Sequence, residues 1–232
     1  MESRKSLART AGFLYLAMMP FAAFWLSQRF SLAAPGNPAR TAAAIAASEG
    51  LLRASIVSWL IAQTIFVFLV LSLYRLLAPV SQRHAVLMVV LGLLGVPIAF
   101  LNEVNHFGAL MLATGRGHLA AFPPEQLHAQ MRFFLDLHAH GVYLAQVFWG
   151  LWLLPLGYLV FKSQFLPKVI GVLLMIGCFG YLFDAAKGML LPDVNLVVSQ
   201  FTFVGELLLP LWLVTKGPSV DLAGAEPAAQ NH

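Results

Sequence analysis

Six long apolar stretches dominate the chain, separated by short clusters of charge, proline and glycine. They run over residues 10–27, 51–74, 85–114, 131–161, 167–190 and 194–215. None alternates polar and apolar residues as a barrel strand would, and each is near the ~20 residues that a helix needs to cross a hydrocarbon core. The pattern predicts an all-α polytopic membrane protein, a bundle of six transmembrane helices in one domain over residues 1–217, with a polar, disordered tail over 218–232. Pro97 in the third stretch and Pro155 in the fourth predict kinks, and Gly171, Gly177 and Gly180 give the fifth a small-residue surface for close helix contact. Between the first two stretches, Pro35, Gly36 and Pro38 break the chain, and Thr41 is placed to cap a short Ala-rich helix ending before Gly50.

Composition sharpens this picture. Of 232 residues, 59% are hydrophobic and 10% charged, whereas a soluble domain carries roughly 25% charged residues. The net charge of +4 is small and matches no nucleic-acid motif, so the expected surroundings are a lipid bilayer, with no nucleic-acid partner. The basic N-terminus ahead of the first apolar stretch reads as an uncleaved first span rather than a signal peptide. Eight of the 14 Lys and Arg residues fall on one side of the spans, among them Arg75 and Arg83 in one tight loop and Lys162 and Lys168 in another. Arg29, Arg40, Arg53, Arg116, Arg132 and Lys187 fall on the other. Short basic loops carry the positive-inside rule, so both termini are expected in the cytoplasm and the protein in the cell inner membrane. Tyr74, Tyr158 and Trp212 lie beside the same basic ends, as interfacial aromatics do.

Ionisable groups inside such spans cost about 2.5–3.5 kcal/mol each on insertion scales, so each needs a partner or a water-lined cavity. Asn102, Glu103 and His106 lie in the outer half of span three, Arg132, Asp136, His138 and His140 in that of span four, and Glu206 near the middle of span six. This one-sided distribution predicts a polar chamber toward the outer leaflet. Residues four apart share a helix face and residues two apart oppose one another. Arg132, Asp136 and His140 therefore form one stripe, and His138 points away from it toward a helix contact through Gly141, Val142 and Ala145. The set expected to converge is Glu103, His106, Asp136, His140 and Glu206, with Asn102 and Arg132 beside it. Such a set permits a divalent metal on His106, His140, Glu103 and Asp136, a haem held axially by His106 with His140 or His138, proton-coupled transport or small-molecule binding, or an interhelical network without chemistry. In the last case Arg132–Asp136 and Asp184–Lys187 are simple helix pairs. These alternatives, and with them whether the protein is an enzyme, stay open on the residues alone.

Several segments carry a resemblance. "LNEVNHFGAL" (101–110), "FWGLWLLPLGYLVFKSQFLPKVIGVLLMIGCFGYL" (148–182) and "GELLLPLWLVTKG" (205–217), with "RTAGFLYL" (9–16) and "LYRLL" (73–77), resemble the bacterial multi-pass membrane family called domain of unknown function 4386. The resemblance spans residues 9–217 and implies a helical membrane fold, with Glu103 and Glu206 at positions belonging to the family's pattern. It implies no activity, substrate or cofactor, and it assigns no pattern to Asp136, His138 and His140.

Overall fold

The structure, a computed structural model, describes residues 3–32, 37–191, 194 and 196–216. Among the described residues the regular structure is helical: α1 (Arg4–Leu32), α2 (Pro38–Ala47), α3 (Glu49–Leu77), α4 (Gln82–Thr114), α5 (Pro124–Leu151), α6 (Leu153–Lys162), α7 (Lys168–Leu190), α8 (Ser199–Thr202) and α9 (Val204–Lys216). A 3₁₀ turn, Gly117–Ala121, precedes α5. Five segments are long and apolar enough to cross a membrane: Arg4–Gln28, Glu49–Leu77, Gln82–Thr114, Pro124–Lys162 and Lys168–Leu190. The expected tail, the expected break at Pro35–Gly36 and the Arg29 side chain lie outside what is described.

Where the elements differ from the pattern, local chemistry explains it. The sixth expected span is a 13-residue α9 preceded by the short α8, and 13 residues rise only about 20 Å. The short Ala-rich helix is capped by Asn37 rather than Thr41. Asn37 Oδ1 accepts from Ala39 N at 2.9 Å, and Pro38 follows at the first helical position, where its missing N–H costs nothing. The fourth span starts earlier than expected, at Pro124, and is interrupted at Trp152. Pro155 has no N–H to give the Leu151 carbonyl, which loosens the turn before it. By contrast Pro97 and Pro20 are carried within unbroken helices.

Contacts divide the chain into two units, and α1, α3, α4 and α5 each contribute to both. One comprises Met1–Ala17, Ile65–Gly95 and Gln146–His232. In it α7 packs against α6, α8 and α9, the Phe66 ring meets Trp152 edge-on at 4.9 Å, and His84 stacks on Tyr158 at 4.2 Å. The expected Asp184–Lys187 pair is not formed. Asp184 accepts from the backbone N–H groups of Val198 and Ser199 at 2.8 and 2.9 Å, while Lys187 Nζ donates to the Leu196 carbonyl at 2.7 Å. Both side chains satisfy backbone groups of Leu196, Val198 and Ser199 leading into the start of α8, where helical partners are lacking. The other unit comprises Met18–Thr64 and Val96–Ala145. Its apolar core includes Ile45 of α2, Ile56 of α3, Leu110 of α4 and Met131 of α5.

Candidate functional site

The second unit holds a cluster of buried polar side chains, Asn102, Glu103, His106 and His138. Helix α4 brings Ala99, Asn102, Glu103, His106, Ala109 and Leu110 to its buried side, positions spaced by three and four residues as one helical face requires. Helix α5 buries Leu127, Met131, His138, Val142 and Ala145. Glu103, His106 and His138 are each 2–3% exposed. His106 Nδ1 lies 2.8 Å from Glu103 Oε2. His138 Nε2 lies 3.3 Å from Glu103 Oε1, and Trp25 Nε1 of α1 donates to that same oxygen at 3.0 Å. Three nitrogens from three helices thus surround one carboxylate. The two imidazoles stack with centroids 3.5 Å apart and planes 21° apart, and Trp25 stacks on Trp59 of α3 at 4.1 Å.

A second layer holds the backbone at His138. Asn102 Nδ2 donates to the His138 carbonyl at 2.9 Å, and Asn105 Nδ2 donates to Asn102 Oδ1 at 3.0 Å. The Asn102 amide fits because residue 141 is glycine: a Cβ there would collide with the amide oxygen. Gly141→Ala is therefore expected to expel Asn102, break its bond to His138 and lower stability by about 1–3 kcal/mol. A thermal unfolding scan in detergent checks this, and an unchanged midpoint would show that the amide bond contributes nothing.

The other sequence-derived candidates fall elsewhere. Asp136 and Arg132 pair with each other at 3.0 Å on the open side of α5, with side chains 50% and 39% exposed. His140 is exposed there too, its Nδ1 2.7 Å from the Asp136 carbonyl. The helix arithmetic that set Asp136 and His140 opposite His138 holds, but the buried face is that of His138. Asp136 and His140 therefore do not join Glu103 and His106, and a four-ligand set of His106, His140, Glu103 and Asp136 is not assembled. Glu206 belongs to the other unit. There its Oε2 accepts from Tyr15 Oη at 3.2 Å, the Tyr181 phenol adjoins it, and Oε1 is buried without a hydrogen-bond partner.

Chemically, Glu103, His106 and His138 each offer a ligand atom, and these atoms all lie within 4.8 Å of one another. A cation at ~2.0–2.1 Å from imidazole and carboxylate ligands sets its ligands roughly 3 Å apart. Each ring nitrogen lies near that spacing from one carboxylate oxygen, His106 Nδ1 at 2.8 Å from Oε2 and His138 Nε2 at 3.3 Å from Oε1. A bis-histidine haem does not fit, because imidazoles stacked at 3.5 Å leave no room for a macrocycle between them. Trp25 is the member that pattern reading missed, and His138 was read as a helix contact or an alternative haem ligand rather than as part of the converging set. A buried indole N–H needs an acceptor, so Trp25 in an apolar span was a usable signal. His138 was signalled by the apolar stripe it interrupts.

Length, apolarity and the helices that make up the regular structure of the described residues define a polytopic α-helical protein of membrane type, here with a buried carboxylate–imidazole centre. The chain belongs to the family described as Domain of unknown function (DUF4386), whose model matches residues 10–217. It is also similar to an uncharacterized protein of Archaeoglobus fulgidus, 34% identical over 84 residues, which cover 36% of this chain and 51% of that protein. The chain thus spans about half the length of that curated relative. No solved structure matches.

Proposed function

We propose that this is an inner-membrane protein with both termini in the cytoplasm, and that its Glu103–His106–His138 centre binds a divalent transition-metal ion such as Zn²⁺ or Fe²⁺. The observation carrying this reading is the convergence of two imidazoles and one carboxylate within ligand-to-ligand distance, almost wholly buried. Imidazole suits Zn and Fe, and a two-histidine, one-carboxylate set leaves coordination positions open for water or a small-molecule ligand. The surrounding bonds support it: Trp25 N–H orients the carboxylate and Asn102 holds the His138 backbone, as outer partners of metal ligands do. The membrane assignment is supported by the five apolar helices, and the orientation by the basic short loops.

A second reading has its own observation. The imidazole planes are nearly parallel, so their in-plane lone pairs run side by side, and ligation requires one ring to turn. As they stand, both ring nitrogens and the Trp25 N–H face the carboxylate, an arrangement suited to a proton shared between Glu103 and an imidazole. Metal analysis separates the two. Protein purified without chelator and supplied with Zn²⁺ or Fe²⁺ is expected to retain about one ion per chain, and Glu103→Gln with His138→Ala to retain none. Less than one ion per several wild-type chains would remove the metal reading and leave the proton site.

A further inference from the structure

A groove of about 580 Å³ opens between α1 and α3 in the same unit as the metal candidate. Its walls are Pro20, Phe21 and Phe24 on one helix and Ala54, Val57 and Ile61 on the other. Its wall polarity is already used internally: Ser58 Oγ donates to the Phe21 carbonyl at 3.0 Å. Val57 and Ile61 are left 53% and 38% exposed. An occupant must therefore present hydrocarbon along this length.

Arg53 also lines the groove and makes it asymmetric. Arg53 Nε and one terminal nitrogen bond to Glu49 Oε1 at 3.0 and 2.9 Å, and Arg116 reaches Glu49 Oε2 at 3.0 Å. Two guanidinium groups thus share one carboxylate, leaving a net positive charge on side chains 54% and 74% exposed. Guanidinium matches phosphate oxygens in charge and in forked geometry. The groove joins an apolar trough to a cationic end, which is the complement of an anionic amphiphile.

We infer that the α1–α3 groove is a binding site for an anionic glycerophospholipid, with an acyl chain along Phe24, Val57 and Ile61 and the phosphate on Arg53 and Arg116. This goes beyond the metal reading and does not rest on it, since no groove residue is a candidate ligand.

The test uses the full chain reconstituted in vesicles of equal phosphatidylglycerol and phosphatidylcholine, re-extracted in mild detergent, with retained lipid quantified by mass spectrometry. Phosphatidylglycerol is expected to be enriched about fivefold over the vesicle ratio, the effect of one basic residue near an anionic headgroup. Arg53→Gln with Arg116→Gln should return the ratio to that of the vesicle, and Val57→Trp should lower the amount retained by filling the trough. Both changes lie at exposed positions, and a monodisperse elution profile confirms that the variants fold. A vesicle-like ratio in the wild type, no retained lipid, or enrichment that survives the double arginine change would overturn the site. Metal content, measured on the same samples, reports separately on the Glu103 centre.

Discussion

Glu103→Ala is expected to destabilise the protein by about 3–5 kcal/mol, as removal of the charged partner from a buried polar cluster does. The carboxylate is the shared acceptor of Trp25 Nε1 and the counterpart of His106 Nδ1 and His138 Nε2. Its loss strands the Trp25 N–H and removes the polar counterpart of both imidazoles where water does not reach, each unsatisfied group costing about 1–3 kcal/mol. Glu103→Gln should cost less, since one oxygen remains to accept, although its amide then faces a ring nitrogen. His140→Ala is the control: an exposed position on the opposite face of α5, with an expected effect within about 0.5 kcal/mol. Thermal or denaturant unfolding in one detergent ranks the three variants. Equal midpoints for Glu103→Ala and His140→Ala would show that the cluster does not hold its helices together.

Gly171→Val is expected to separate α6 from α7 and to cost ~3 kcal/mol or more, at the upper end for overpacking. A Cβ at Gly171 would stand 2.6 Å from the Gly157 carbonyl oxygen and 2.7 Å from Phe161 N. Reciprocally, one at Gly157 would stand 2.6 Å from the Gly171 carbonyl. These are backbone atoms, which have no rotamer to escape into, so the helices themselves must move apart. Small residues permit this close approach, and in lipid, packing takes much of the role that the hydrophobic effect has in water. Gly50, whose Cβ would meet nothing within 4 Å, tolerates alanine by comparison. The same unfolding assay checks it, and a Gly171→Val midpoint equal to that of Gly50→Ala would refute the close-contact account.

Pattern reading succeeded where a single physical rule decides. A run of some twenty apolar residues must close its backbone hydrogen bonds locally, so α1, α3, α4 and α7 follow from the sequence. The glycine surface of α7 follows in the same way. Capping was harder, because Asn37 and Thr41 are both competent caps and only the position of Pro38 selects between them. Asp184 was paired with Lys187 because they are neighbours on one helix, yet the backbone of residues 196–199 outcompetes that pair.

For the centre, the sequence determined which residues share a face: Asn102 with His106 on α4, and Asp136 with His140, opposite His138, on α5. Only the tertiary structure decided which face is inside. In a soluble helix the polar side marks the exterior, but α5 carries Phe133, Leu137 and Leu144 outside and Met131, Val142 and Ala145 inside. A helix apolar all round gives no such mark. Charge misleads further, since Arg132 and Asp136 neutralise one another on the open side, while the lone His138 enters the interior because Glu103, Trp25 and Gly141, distant in sequence, prepare a place for it.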